Sequence, residues 1–245
     1  MSRFFLPAEA WGGEAQLEGD EARHFGQVLR GRPGDRVTVF DGGGRRAEAE
    51  VLEVGRGRVR LRLGEARRTP VPGPAVTLGQ AVPKGKTMDL IVQKAVELGV
   101  ERIQPLVTRH TVARPAAGKA AKWQRVALEA CKQCGQDRLP AVAEPAEVEG
   151  WLAALGNGVP EGELRLVASL EAGARPLREV LRAARAVARV VVLVGPEGDL
   201  AAGECGAARA AGFLPVSLGP IVLRVETACL FCLAAIRYEF PAVGG

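Results

Sequence analysis

The chain has 245 residues, 47% hydrophobic and 25% charged, which is typical of a soluble globular protein with room for one large or two ordinary domains. Its longest apolar runs, such as residues 190–194, are only as long as a strand, which excludes a transmembrane helix. The apolar stretch before Pro7 is too short for a signal peptide. We therefore expect a cytoplasmic protein with no membrane partner. The net charge is +5, and residues 22–70 carry twelve arginines against six acids, which favours a polyanionic partner.

The N-terminal region is predicted to contain short strands separated by glycine-rich turns. Three of these strands are predicted at residues 36–41, 47–54 and 58–63. In the third strand, apolar residues alternate with Arg58, Arg60 and Arg62. Strands this short and this close together predict a small β-barrel. The arginine row is either a solvated face or a surface that meets phosphates.

A proline-rich segment, residues 67–74, interrupts regular structure and predicts a boundary between domains at residues 1–70 and 71–245. The second domain is predicted to contain strands at 75–82, 102–106, 164–169, 190–194 and 214–218, and helices at 88–98, 119–134, 176–188, 201–211 and 226–238. Alternation of this kind predicts an α/β fold with a parallel sheet covered by helices on both faces. Ligands of such sheets bind at the carboxyl ends of the strands.

The five cysteines include two pairs with the CxxC spacing of a zinc site, Cys131 with Cys134 and Cys229 with Cys232. Both pairs lie in helical sequence rich in alanine and leucine, not in glycine-containing knuckles. Buried cysteine behaves as a small hydrophobic residue. We therefore predict structural thiols and no metal site.

Two apolar strands run directly into loops rich in glycine and proline, at residues 193–198 and 218–223. Such loops allow the backbone to approach a ligand closely, so together they predict a site built mainly from main-chain groups. Two other kinds of nucleotide site have weaker support in the sequence. Residues 79–87 resemble a P-loop, but five residues separate the glycines and Pro83 removes a donor, and no GxGxxG motif follows the first strand of the second domain.

Motifs spread over almost the whole chain resemble one known family. In chain order they are His24-Phe25 with Val28-Leu29-Arg30, Lys84-Gly85-Lys86 before Met88-Asp89, Glu97-Leu98-Gly99-Val100, Gln133-Cys134-Gly135 with Arg138, Val194-Gly195-Pro196-Glu197-Gly198, Leu218-Gly219-Pro220, and Leu223-Arg224 with Glu226-Thr227-Ala228. This series resembles the RsmE family of SPOUT-class ribosomal RNA methyltransferases. The chain departs from the family pattern at Lys132, where glutamate is usual, at Gln136, where arginine is usual, and at Asp199, where glycine is usual.

The resemblance implies a SPOUT-type parallel sheet with a C-terminal trefoil knot and a small N-terminal PUA-like β-barrel that binds RNA. It implies a homodimer that transfers the methyl group of S-adenosylmethionine to N3 of a specific uridine in 16S rRNA, either free or in the small ribosomal subunit. Two alternatives remain: a non-catalytic rRNA-binding protein with an idle α/β domain, and an α/β enzyme that binds a nucleotide phosphate.

The resemblance also implies roles for individual residues. The expected cofactor-binding residues are Leu170, Leu193, Val194, Gly195, Pro196, Glu197, Gly198, Leu218, Gly219, Ile221 and Leu223. The expected RNA-binding residues are Arg23, His24, Arg30, Arg32, Lys84 and Lys86, although His24 is equally compatible with a buried barrel residue. Arg224 and Glu226 are expected to be catalytic, with Glu197 as a rival proton acceptor; the other interpretation of Arg224 and Glu226 is a salt bridge that only fixes the loop.

Overall fold

The computed structural model describes residues 2–12, 14–71, 73–112 and 114–241. The chain divides into two compact units. The first takes the chain up to Val71 together with Leu128–Leu139, and the second takes the rest. The N-terminal part of the first unit ends within the proline-rich segment, whose Pro72 lies outside the described residues, and no pattern in the sequence predicts that Leu128–Leu139 belongs to this unit.

The first unit is built around a curved six-stranded sheet. Its strands are β1 (Arg3–Phe5), β2 (Glu14–Glu18), β3 (Arg36–Phe40), β4 (Arg45–Gly55), β5 (Arg58–Leu63) and β6 (Arg67–Arg68). The strand order is β1-β3-β4-β5-β2, with β6 paired to β4, and only the β1–β3 pairing is parallel. A short helix, α1 (Gly19–Arg23), continues into one turn of π-helix over His24–Val28.

One face of this sheet forms the core of the first unit. Phe4 on β1 and Leu17 on β2 both belong to this core, so the two end strands curve towards the same interior. The predicted alternation on β5 is confirmed for Val59 and Leu61, which are fully buried. On its other face, Arg60 and Arg62 pair with glutamates of β4. That part of the arginine row is therefore a solvated face with cross-strand ion pairs.

A buried carboxylate anchors Leu128–Leu139 within the first unit. Asp137 is 1% exposed, and its Oδ1 accepts a hydrogen bond from Nη2 of Arg3 at 2.6 Å. Its Oδ2 accepts a hydrogen bond from the Thr69 hydroxyl. A charge this deeply buried is tolerated because it is both paired and hydrogen-bonded.

The two unusual residues in this segment, Lys132 and Gln136, have structural partners. The ammonium of Lys132 contacts the carboxylates of Glu21 and Glu129. Burial alone would lower the pKa of Lys132, but the hydrogen bonds that its ammonium donates to these two glutamates outweigh burial and raise the pKa. The side-chain oxygen of Gln136 accepts the backbone N–H groups of the next two residues and so shapes the turn after the helix.

The second unit contains a parallel eight-stranded sheet. Its strands are β7 (Ala75–Ala81), β8 (Arg102–Val107), β9 (Ala141–Val142), β10 (Ala146–Glu147), β11 (Glu163–Ala168), β12 (Arg175–Pro176), β13 (Arg189–Val194) and β14 (Leu214–Ser217). The strand order is β10-β8-β7-β13-β11-β14-β12, and β9 also pairs with β8. The predicted α/β architecture is confirmed.

Helices cover both faces of this sheet. They are α2 (Thr87–Glu97), α3 (Lys119–Cys134, whose first part lies in this unit), α4 (Val148–Leu155), α5 (Leu177–Ala183), α6 (Ala202–Ala210) and α7 (Val225–Glu239). On one face, Val191 and Leu193 of β13 join α4 and α6 in a core that includes Phe213. Val190 and Val192 alternate with them, are also fully buried, and point to the layer of α2, α5 and α7.

One helix prediction needs correction, and one helix was not predicted. The helix predicted at 176–188 ends at Ala183, and Ala184 is already extended. Its apolar face ends at Leu181, and no residue from there to Val190 is buried, so alanine propensity alone does not continue the helix. Helix α4 was not predicted, because its short sequence lies among strands of two residues each. Within the described ranges, no helix is both long and apolar enough to cross a membrane.

Candidate functional site

A cavity of about 720 Å³ opens at the carboxyl ends of β11, β13 and β14 in the second unit. The loops that follow these strands supply most of its wall, and Lys84, Thr87, the last residues of the strands and the start of α7 complete it. The loop residues in the wall are Ser169, Leu170, Glu171, Gly195, Pro196, Glu197, Asp199, Leu218, Gly219, Pro220, Ile221, Val222, Leu223 and Arg224. This is the edge of the sheet where parallel α/β proteins bind ligands.

The loop after β13 makes a tight turn in which Asp199 has a left-handed backbone, with φ of 59°. The Asp199 N–H donates to the carbonyl of Pro196 at 3.0 Å, and its carboxylate accepts the N–H of Leu200 at 2.7 Å. Glycine adopts this conformation without strain, whereas aspartate is among the few other residues that tolerate it. Asp199 therefore makes, without glycine, a turn whose conformation favours glycine.

The first half of this loop has little room for side chains. A Cβ atom on Gly195 would lie 3.3 Å from the Asp199 carboxylate and 3.4 Å from the Leu200 nitrogen. A larger side chain would therefore displace the backbone. Glu197, beside it, is held in place because its carboxylate accepts the Lys84 N–H at 3.1 Å. That hydrogen bond links the loop after β13 to Lys84 and occupies one oxygen of the Glu197 carboxylate.

A buried glutamate fixes the end of the same loop. Glu204 is 3% exposed, and its two carboxylate oxygens accept the N–H groups of Arg109 and Ala201, each at 2.8 Å. The His110 ring nitrogen Nδ1 lies 2.9 Å from the carbonyl oxygen of Asp199. The loop after β8 is thus attached at two points to the loop that lines the cavity.

Arg224 and Glu226 lie where the loop after β14 enters α7, and both line the cavity. Arg224 is the exposed N-cap residue of α7, and Glu226 is half-buried in its first turn, where the helix dipole favours a negative charge. Within the described part of the chain, neither side chain makes an ion pair or a hydrogen bond. The loop-fixing salt bridge is therefore not present.

Most of the expected cofactor residues line the cavity. Those that do are Leu170, Val194, Gly195, Pro196, Glu197, Leu218, Gly219, Ile221 and Leu223. Leu193 is instead fully buried in the core, and Gly198 lies beside His110. The polar wall residues Thr87, Ser169, Glu171 and Ser217 were not predicted, since only their position at or after a strand end marks them.

The expected RNA-binding residues lie in both units. Lys84 and Lys86 are exposed, and Lys84 also lines the cavity. In the first unit Arg23, Arg30 and Arg32 are exposed, and Arg23 lies 3.3 Å from Asp20. His24 is half-buried, with its ring 5.8 Å from that of Phe4, so it packs at the edge of the core.

The segments considered for a P-loop and for a CxxC zinc site have other structural roles. Gly79 of the P-loop-like segment lies inside β7, where a Cβ would clash with Trp151 at 2.5 Å, so this segment does not form a phosphate loop. Burial raises the pKa of both Cys131 and Cys232 to about 12, which opposes thiolate ligation. Among the residues the structure describes, no three histidines, cysteines or acids are grouped to hold a metal.

Comparison with known proteins gives consistent matches over both units. Residues 70–237 match a family described as RNA methyltransferase domain, and residues 17–64 match one described as RNA methyltransferase PUA domain. The chain is 34% identical to ribosomal RNA small subunit methyltransferase E of Synechocystis sp., covering 89% of this chain and 70% of the relative. It is 33% identical to the enzyme of the same name from Mycobacterium bovis, covering 92% and 86%.

The fold also matches a solved structure. The crystal structure of a ribosomal RNA small subunit methyltransferase E from Neisseria gonorrhoeae, bound to S-adenosylmethionine, is 32% identical to this chain. The two share a TM-score of 0.86, and the match covers 98% of each chain.

Proposed function

The chain belongs to the family of ribosomal RNA small subunit methyltransferase E, and we propose that it transfers the methyl group of S-adenosylmethionine to N3 of one uridine in 16S rRNA. It is a methyltransferase that uses S-adenosylmethionine, with an N-terminal PUA-like domain and an α/β domain with a parallel sheet. The observation that carries the proposal is the cavity at the carboxyl ends of β11, β13 and β14, with Arg224 and Glu226 in its wall.

The residues of the cavity fit this cofactor. Its volume of about 720 Å³ lies within the range of roughly 300–1,000 Å³ that is usual for small-molecule sites. We propose that the backbone around Gly195 and Gly219 binds the polar groups of the cofactor and that Leu170 and Ile221 cover its apolar parts. The carboxylate of Glu226 complements its positive charge, whereas that of Glu171 is paired with Arg209. When bound, the cofactor supplies an electrophilic methyl group on a sulfonium.

Arg224 and Glu226 supply the groups that the uracil needs. N3 of uridine carries a proton, so it becomes nucleophilic only when that proton leaves. We propose that Glu226 accepts the N3 proton and that Arg224 stabilises the negative charge that develops on the neighbouring carbonyl oxygen. Both side chains are free of competing ion pairs in the described residues, which supports these roles. Loops that hold the two reactants in line supply much of the remaining acceleration.

The proposal is tested by incubating the protein with 16S rRNA or small ribosomal subunits and methyl-labelled S-adenosylmethionine, then identifying the labelled nucleoside. We expect N3-methyluridine. Arg224→Gln should lower kcat by about 100-fold, because the developing charge loses its donor. Its affinity for S-adenosylmethionine by calorimetry should change by less than about 3-fold, since Arg224 is assigned to the uracil. Labelled product at wild-type rate from this variant would refute the role of Arg224.

We propose that the protein is a homodimer in the cytoplasm, with 16S rRNA or the small ribosomal subunit as its partner. Exposed apolar side chains support the dimer: Ile221 and Val222 are 69% and 75% exposed on the rim of the cavity, and Phe231 is 48% exposed on α7. An apolar surface of this kind, next to a ligand site, is typical of an interface.

We also propose that the loops after β11, β13 and β14 form the trefoil knot expected from the family. The strand order supports it, since β13 lies between β7 and β11 although β11 precedes it in the chain. The three loops then meet around one cavity. A crystal structure in which the path of the chain through these three loops is traced would test the knot.

A further inference from the structure

Four exposed arginines follow one another from β12 to just after the end of α5: Arg175, Arg178, Arg182 and Arg185. We call them the α5 arginine patch. Residues 172–188 contain only one acid, Glu179. We propose that this patch binds phosphates of the rRNA backbone next to the target uridine. The inference rests on the proposed function and assigns part of the surface that receives the substrate.

The helix keeps these charges away from the core. Leu177, Val180 and Leu181 are the buried residues of α5. Arg178 and Arg182 are four residues apart, so they lie one above the other on the exposed side of the helix. The seven helical residues extend over about 10 Å, which spreads the charges along a line.

The arginines of the patch differ from the arginine row on β5 in having no acidic partners within the described residues. In the first unit, Arg60 and Arg62 on β5 each pair with a glutamate within 3.3 Å. Across the described ranges, none of the four patch guanidinium groups makes an ion pair. Arg185 alone has protein partners: it donates to the carbonyls of Arg182 and Ala184 and so caps the end of α5. The positive charges of the patch therefore repel one another, and binding of an external anion reduces this repulsion.

The patch begins at the edge of the cavity. Strand β12 pairs with β14 so that Arg175 is opposite Val216 and Pro176 is opposite Ser217. Ser217 lines the cavity, and the loop from Ser169 to Ala174 leads from the cavity wall directly into β12. A nucleotide whose base enters the cavity thus carries its neighbouring phosphates towards Arg175 and Arg178. RNA fits this surface because its phosphates are regularly spaced, and arginines can bind them whatever the base sequence.

The test compares the full-length wild-type protein with a triple variant, Arg175→Gln, Arg178→Gln and Arg182→Gln. Arg185 is kept because it caps α5. The matched control removes the same charge from three other exposed cations of the second unit, through Arg102→Gln, Lys119→Gln and Arg125→Gln. Thermal unfolding should confirm that both variants remain folded.

We expect the triple variant to bind a labelled 16S rRNA fragment at least about 10-fold more weakly, and the slope of log affinity against log salt to fall by about 2, as expected for three lost phosphate contacts. KM for RNA should rise in parallel, whereas the affinity for S-adenosylmethionine by calorimetry stays unchanged. The control variant should lose less than about 3-fold in RNA affinity.

Several results would overturn the proposal. One is RNA binding by the triple variant with the affinity and salt slope of the wild type; another is equal weakening in the control. A third is a loss of dimer in sedimentation with RNA affinity unchanged, which would make the patch an interface between subunits. Failure of the proposed function has a different signature, since the wild type would then transfer no methyl to 16S rRNA, while the binding comparison would still test the patch.

Discussion

At the scale of single residues, the side chains of the candidate site differ in whether other protein groups already bind them. Arg224 and Glu226 line the cavity without an ion pair in the described residues, whereas Glu197 is held by the Lys84 N–H. Side chains that are already satisfied by the protein stabilise its loops, and charged groups left free near a cavity are available to a substrate. This difference favours Glu226 over Glu197 as the proton acceptor.

Gly195→Val is expected to weaken S-adenosylmethionine binding by at least about 100-fold, because it disturbs a closely packed binding loop. The Cβ alone would contact Asp199 and Leu200 at 3.3–3.4 Å, so the branched side chain must move the loop. Calorimetry with S-adenosylmethionine measures the loss. Gly206→Val on α6 is the control, since its Cβ meets nothing within 4 Å. Unchanged affinity in Gly195→Val would refute the assignment of this loop.

At the scale of elements, the sequence predicts the second unit well. The helix predicted at 119–134 is observed with the same bounds as α3, and both loops rich in glycine and proline lie in the cavity wall. These features are local: a helical period, an apolar run or a turn residue is enough to reveal them. The loop containing Ser169 and Glu171 has no such signal, and it enters the site only because the sheet order places β11 between β13 and β14.

The loop connections through Glu204 allow a separate prediction. Glu204→Ala removes the charged acceptor of the N–H groups of Arg109 and Ala201, and the loss of these two hydrogen bonds should lower the free energy of unfolding by about 3 kcal/mol. It should also weaken S-adenosylmethionine binding, since the end of the cavity loop is released. Urea unfolding and calorimetry measure the two effects. Glu149→Ala, at an exposed glutamate in the first turn of α4, should cost less than about 1 kcal/mol. Equal stability of the two variants would contradict the role of Glu204.

At the scale of the whole molecule, the proposed dimer accounts for the apolar side chains left exposed beside the cavity and on α7. We expect Phe231→Glu to convert the dimer into a folded monomer, because it places a charge within an apolar contact. Sedimentation velocity measures the change, and circular dichroism checks the fold. Glu239→Ala, at the end of the same helix, serves as the control. A Phe231→Glu protein that sediments as a dimer would place the interface elsewhere.

The sequence could not indicate that the first unit takes Leu128–Leu139 from the middle of the chain. The pairing that joins Arg3 to Asp137 spans 134 residues and leaves no local pattern. The same limit applies to the α5 arginine patch. The spacing of its arginines is visible in the sequence, but whether acidic side chains lie close to them depends on long-range packing.

This discontinuity has a consequence for biosynthesis. While the ribosome is making the chain, the first seventy residues emerge well before Asp137, so Arg3 has no carboxylate to meet until more than half of the protein has been synthesised. As an early intermediate the N-terminal unit therefore has its core residues but lacks this ion pair and the rest of Leu128–Leu139, whereas N-terminal domains generally fold first as complete units. A fragment that ends near residue 71 should accordingly be a poor substitute for the N-terminal unit, and deletion studies of this protein need to retain Leu128–Leu139.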